Sequence, residues 1–200
     1  MKAIIFDFGN VVGFFSHQRT YQRLAAHSPL SWEEMKGQIY GGDLEHAYES
    51  GRVSSTEALA EVRRRCALTC DDAILADAYC DIFWRNDAVC DLIPRLAGRY
   101  RLILGSNTTE LHSQKFRAQF ADTLRHFDHL VLSHEIGTRK PSPEFYDHCV
   151  KHARCAAQEC VFVDDLPANV AGAVARGLHG IVYTGDDDLH RRLAHLGICA

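Results

Sequence analysis

The chain has 200 residues, 46% of them hydrophobic, and 22 Lys and Arg against 26 Asp and Glu give a net charge of -4. That length and apolar content suit one globular domain with its own core and room for one insertion. The charge balance excludes the basic stripe of a nucleic-acid-binding surface, and the run Arg63, Arg64 and Arg65 reads as a solvated helix face. No stretch approaches the roughly 18 to 20 apolar residues that cross a bilayer. The apolar run after Met1-Lys2 meets Asp7 too soon for a secretory leader. A cytoplasmic chain with no membrane partner is expected. The eight cysteines include no C-x-x-C pair, so they read as small hydrophobes and not as zinc ligands.

The first element is in "KAIIFDFGNVV", where Ala3, Ile4, Ile5 and Phe6 predict a buried strand that delivers Asp7 to a sheet edge. From Phe14 to Asn86 the pattern turns helical. "SWEE" (residues 31–34) and "SSTE" (residues 54–57) are capping boxes, with Ser followed three positions later by Glu. Leu59, Val62 and Cys66 then recur on one helical face, and "YGGD" and "ESGR" read as turns. Val89, Leu92, Ile93 and Leu96 predict another helix, with Pro94 implying a late start or a kink.

Four further strands are expected in "YRLILGSN" (100–107), "DHLVLS" (128–133), "CVFVDD" (160–165) and "GIVYTG" (180–185). Ser142-Pro143 opens one intervening helix, and Pro167 opens another that Gly177 closes. Apolar strands alternating with helices predict an α/β fold, a doubly wound parallel sheet covered on both faces. The expected core is residues 1–13 and 87–200. Residues 14–86 form an inserted α-helical cap, hinged near 13–17 and 84–88. Polar residues collect at successive strand ends: Asp7, Ser106-Asn107, Lys140-Pro141 and Asp164-Asp165. The carboxyl ends of parallel strands are where such a sheet carries its site.

With "FDFGNV", "LILGSNT", "RKPSPEFY" and "VFVDDLPANVAGA" in this order, the chain resembles the haloacid dehalogenase superfamily over essentially all 200 residues. The branch it is most similar to includes sugar-phosphate phosphatases and the N-terminal domain of soluble epoxide hydrolases, and some of its members also read D-x-G-N. The resemblance implies a phosphatase with a Rossmann-like core, a cap of the first subclass, and Mg²⁺ as cofactor. Asp7 would attack phosphorus and form an aspartyl-phosphate. Asp7, Asp165 and the Gly9 carbonyl would hold Mg²⁺, with Asp164 outside its direct ligands, holding a metal-bound water or orienting Lys140. Ser106 and Asn107 would donate to the phosphoryl oxygens beside Phe8 and Gly9, and Lys140 would balance charge. Asn169 stands where many relatives carry another acid; a structural amide is the leading reading, a metal contact the second. A small phosphorylated metabolite is the implied partner, and the chain a monomer or homodimer.

Gly9 departs from the family pattern. Most family phosphatases carry Asp there, with a carbonyl for Mg²⁺ and a side chain for general acid–base catalysis, an effect typically worth about 10²- to 10⁴-fold. Three accounts follow. The first, favoured here, is an active phosphatase that tolerates the loss. Its substrate would then leave easily, as a sugar 1-phosphate or acyl phosphate does, or another acid would serve, with His17, Asp43 and His46 as candidates. The second is a weak phospho-ligand binder. The third is a 2-haloacid dehalogenase, disfavoured because those enzymes lack the acidic pair at 164 and 165. Phe14, Phe15, Tyr40, Tyr48, Arg52 and Trp84 are candidates for lining the substrate pocket.

Overall fold

The computed structural model describes residues 1–199. Among these described residues seven strands form two sheets: β1 (Ala3–Phe6), β2 (Gly13–Phe15), β3 (Phe83–Arg85), β4 (Arg101–Ser106), β5 (His129–Leu132), β6 (Cys160–Asp164) and β7 (His179–Val182). Five of them make a parallel sheet in the order β5-β4-β1-β6-β7. β1 is central, its Phe6 paired with Leu104 on one side and Val163 on the other. All four β1 residues are fully buried, because alternate side chains meet helices on opposite faces. Ile4 and Phe6 point into a cluster with Leu92, Ile93, Leu96 and Leu189. Ala3 and Ile5 join Phe145, Tyr146, Cys149 and Phe162 on the other face. Each large apolar side chain so buried contributes ~1.5–3 kcal/mol.

Between β2 and β3 run five helices, Gln18–Leu24, Trp32–Ile39, Asp43–Glu49, Ser55–Arg65 and Asp72–Cys80. They close around their own apolar cluster, including Leu24, Met35, Tyr40, Val62, Leu75 and Tyr79. Both capping boxes form: Ser31 and Ser54 accept from the Glu34 and Glu57 N–H groups, and each Glu reaches back to its serine N–H. Arg63, Arg64 and Arg65 are paired with Asp72, Glu61 and Asp43.

The segment is not helical to its ends. β2 and β3 pair antiparallel, Gly13 with Arg85 and Phe15 with Phe83, so a two-stranded ribbon carries the chain in and out. The helix holding Pro94 runs over Asp87–Leu96 with no late start. Pro94 sits in its last turn, where few following backbone N–H groups depend on a regular ladder. Ser142 stands at the N-cap of Pro143–Ala153, without a side-chain capping bond. Gly177, at φ 85°, follows the helix Pro167–Ala175 in the left-handed region that glycine tolerates. All eight cysteines are free thiols. Among the described residues, no helix is long and apolar enough to cross a membrane.

Candidate active site

The carboxyl ends of β1, β4 and β6 converge on one buried ammonium group. Lys140 Nζ lies 2.7 Å from Asp7 Oδ1, 2.7 Å from Asp164 Oδ2 and 2.9 Å from the Gly105 carbonyl, so all three of its protons have acceptors. The lysine is 2% exposed. Its backbone is clamped by Asn107, whose Oδ1 accepts from the Lys140 N–H at 2.8 Å while Nδ2 donates to the Lys140 carbonyl at 3.0 Å. The next residue is fixed likewise: the Thr108 N–H donates to Ser133 Oγ at 2.9 Å, and that hydroxyl donates to the Thr108 carbonyl at 3.1 Å. Thr109 then caps the helix Glu110–Gln119. The loop after β4 is rigid where Ser106 and Asn107 face the site.

Asp7 follows β1 directly, and its N–H continues the ladder to the Val163 carbonyl at 2.8 Å. Its Oδ1 also accepts from the Phe8 N–H at 2.7 Å. Oδ2 looks toward Gly9, since a Cβ added at Gly9 would lie 3.9 Å from it. Asp164, fully buried on β6, spends both oxygens on protein donors: Leu166 N–H, Asn169 Nδ2 and Lys140. Asn169 therefore braces Asp164. Asp165 is half-buried just past β6, and its Oδ2 accepts from Asn10 Nδ2 at 3.0 Å. Asn10 reaches it from a left-handed conformation, φ 55°, which Asn adopts more readily than most residues.

One carboxylate oxygen each from Asp7, Asp164 and Asp165 lies within 4.8 Å of the others. Three carboxylates thus face one ammonium. Burial pushes the Asp7 carboxyl up to about 7, with Lys140 opposing and Asp164 adding to the rise. Burial also raises Asp165 against the Asn10 hydrogen bond. For Lys140 burial acts downward, but Asp7 and Asp164 outweigh it, and its pKa rises above the usual value. The all-oxygen donor set and the surplus negative charge suit a hard divalent cation at Asp7 and Asp165.

A cavity of about 120 Å³ opens over Phe8, Gly9, Ser106 and Asn107. Phe15, Ile82 and Phe83 give it apolar walls, and Glu45 and Glu49 reach it from the helix Asp43–Glu49. His17 and His112 stand at two ends of a column of near-parallel rings. His17 lies 3.6 Å from Tyr40, Tyr40 5.7 Å from Tyr79, and Tyr79 4.4 Å from His112, centroid to centroid. Burial holds His17 down to about 4 and His112 down to about 3, so both rings are neutral near pH 7. His112 Nε2 donates to the Tyr79 carbonyl at 3.0 Å, which leaves Nδ1 as the acceptor nitrogen.

Of the pocket residues expected from sequence, His17 and Phe15 line this cavity. Seven others require correction. Asp43 is exposed and paired with Arg65, and His46 and Arg52 are exposed outside the cavity lining. Phe14 and Trp84 face each other across the ribbon at 6.1 Å, outside the lining. Tyr40 and Tyr48 are buried in the helical cluster. Sequence reading missed Glu45, Glu49, Thr108, Thr109 and His112, and did not give Asn10 its role. The Asn following Gly9 was the one local sign for Asn10; the others reach the cavity only through tertiary packing.

Residues 1–177 match the family model for haloacid dehalogenase-like hydrolases. A D-ribitol-5-phosphate phosphatase of Bacteroides thetaiotaomicron is 24% identical over 176 residues, 85% of each chain. A flavin mononucleotide hydrolase of Arabidopsis thaliana is 42% identical over 62 residues, 31% of this chain and only 25% of that protein. Among solved structures, a family enzyme from Bacteroides thetaiotaomicron, in complex with magnesium and inorganic phosphate, superposes with a TM-score of 0.79. Its identity is 19%, over 90% of this chain and 93% of that one, so it speaks for the fold alone. Family match, shared fold and the order of the strand-end residues agree: the chain belongs to the haloacid dehalogenase-like hydrolase family.

Proposed function

We propose that this protein is a magnesium-dependent phosphatase for a small phosphomonoester, with a sugar or polyol phosphate as substrate and Asp7 as nucleophile. The observation that carries the reading is the Lys140 junction, a buried ammonium bridging Asp7 and Asp164 beside a third carboxylate. Lys140 occupies one oxygen of Asp7, which orients the carboxylate and leaves Oδ2 for attack on phosphorus. Asp165, Asp7 and the Gly9 carbonyl would hold Mg²⁺. When bound, the ion neutralises charge between the carboxylates and the phosphate dianion.

Ser106 Oγ and the Asn107 N–H would donate to the phosphoryl oxygens, held in place by the loop clamps. Asp164, with both oxygens engaged, keeps Lys140 charged and aimed. Residues 14–86 would serve as the cap, supplying Glu45, Glu49 and His17 to the cavity and excluding water when closed. The small cavity favours a compact leaving group, and the ribitol-phosphate phosphatase relative supports a polyol or sugar.

The test is phosphate release from a panel that includes glucose 1-phosphate, glucose 6-phosphate and ribitol 5-phosphate, with Mg²⁺ or EDTA. The reading expects turnover that requires Mg²⁺ and vanishes in Asp7→Asn. Release unaffected by EDTA or by Asp7→Asn would refute it.

A further inference from the structure

The phosphatase reading leaves one chemical gap. A sugar or alkyl leaving oxygen needs a proton, and Gly9 has no side chain to give one. Nor can position 9 regain one cheaply, because a Cβ there would sit 2.9 Å from Phe15 Cε1. The donor must come from another wall of the same cavity.

Glu49 is an acid in a wall of that cavity. It ends the helix Asp43–Glu49, lines the cavity that Gly9, Ser106 and Asn107 floor, and its side chain is 13% exposed. Arg139 Nη2 approaches its Oε2 to 2.8 Å as an ion pair. That contact engages Oε2, while the neighbouring Arg139 Nε is buried without a hydrogen-bond partner. Arg139 directly precedes Lys140, so one loop fixes both Lys140 against Asp7 and Arg139 against Glu49.

The other titratable groups of the cavity are committed: His112 is neutral and spends its one N–H on the Tyr79 carbonyl. Glu45 accepts the Gly41 N–H at 2.5 Å. His17 lies flat on Tyr40 and is neutral near pH 7, with no readily released proton.

We propose that Glu49 is the general acid and base of this enzyme, protonating the leaving oxygen in place of the side chain that position 9 lacks. The assignment rests on the phosphatase reading above. As Asp7 Oδ2 bonds to phosphorus, the bond from phosphorus to the leaving oxygen breaks and the Glu49 carboxyl gives that oxygen its proton. Alcohol, aspartyl-phosphate and Glu49 carboxylate result. The carboxylate then takes a proton from a water whose oxygen attacks phosphorus. The bond to Asp7 breaks, phosphate leaves, and both side chains return to their starting forms. The charged groups facing Glu49 are Arg139 and Lys140 from the core and Glu45 one turn back on its own helix. Burial pushes the Glu49 carboxyl up to about 7, with Arg139 opposing, so a protonated fraction exists at neutral pH.

The experiment compares kcat/KM for glucose 6-phosphate and for acetyl phosphate, in wild type, Glu49→Gln and Glu49→Asp, with Mg²⁺ present. This ratio reports the steps up to leaving-group release, and acetate departs without needing a proton. Glu49→Gln is expected to lose about 10²-fold or more on glucose 6-phosphate and to stay near wild type on acetyl phosphate. Glu49→Asp, which keeps a carboxyl, retains part of the sugar-ester activity. Should the Gln variant lose its cooperative thermal transition, the Asp variant decides by the same selectivity. Equal losses on both substrates, or no loss on either, overturn the role of Glu49 while leaving the phosphatase intact. A wild type that turns over neither of these nor any ester of the panel above removes the phosphatase reading and this assignment with it.

Discussion

The Phe15 ring fills the space into which a side chain at position 9 would project, 2.9 Å from where a Cβ at Gly9 would stand. Phe15 comes from the first strand of the ribbon and packs near Phe83, with its ring turned against Gly9. The absent side chain at position 9 and the aromatic ring at position 15 are thus one packing solution. Gly9→Asp alone should destabilise the fold by about 1–3 kcal/mol through overpacking and bring no gain in turnover. Adding Phe15→Ala should recover part of that loss. Urea unfolding of both single variants and the double variant measures the coupling directly.

Lys140 holds two buried carboxylates at once, so its removal strands both. Lys140→Met is expected to cost about 3–5 kcal/mol, the range for breaking one side of a buried ion pair. Adding Asp164→Asn to that variant should return part of the stability. Equilibrium denaturation reads both, and a Lys140→Met protein as stable as wild type would contradict a buried charged junction.

His112 gives the stability a pH dependence away from the carboxylate cluster. Its folded pKa is lowered to about 3 by burial, below the 6.5 of an unfolded histidine. The unfolded chain therefore binds the extra proton between those values, and stability falls as pH drops from about 6.5 toward 3. Replacing His112 by Gln should remove up to one proton from that slope, about 1.4 kcal/mol per pH unit. Chemical denaturation from pH 4 to pH 7 measures it. His17 has the same sign, with a folded value of about 4, so some slope remains in the variant.

Asp165 is the least engaged of the three acids, bonded through Oδ2 to Asn10. Asp165→Asn should raise the Mg²⁺ concentration for half-maximal activity by at least about tenfold. Its thermal midpoint without metal should not fall, because the change removes one of three crowded carboxylates. Mg²⁺ titration of phosphate release, with calorimetry alongside, separates the two effects.

Much of this was legible in the sequence for a physical reason. A strand buried on both faces is a continuous apolar run, which is why Ala3–Phe6 and Cys160–Asp164 stand out, each delivering an acid at its end. The capping boxes at Ser31 and Ser54 are local chemistry and form where their spacing says. The ribbon was not legible, since Gly13–Phe15 and Phe83–Arg85 are three residues each and pair across a long separation. The cavity's upper wall was the weakest reading. Asp43, His46 and Glu49 share one short helix, and its rotation against the core alone decides which side chain enters the cavity. The sequence offers no independent sign of that rotation. Likewise nothing local ties Phe15 to Gly9.

The central claim is that Asp7 carries the phosphoryl group between substrate and water. It is tested most directly by mixing enzyme, Mg²⁺ and substrate, quenching in acid within a turnover, and mapping the peptides by mass spectrometry. The account predicts the mass of one phosphoryl group on the peptide that contains Asp7, absent from the Asp7→Asn variant. Steady turnover with that peptide never modified, or the phosphoryl group found on another side chain, would contradict it.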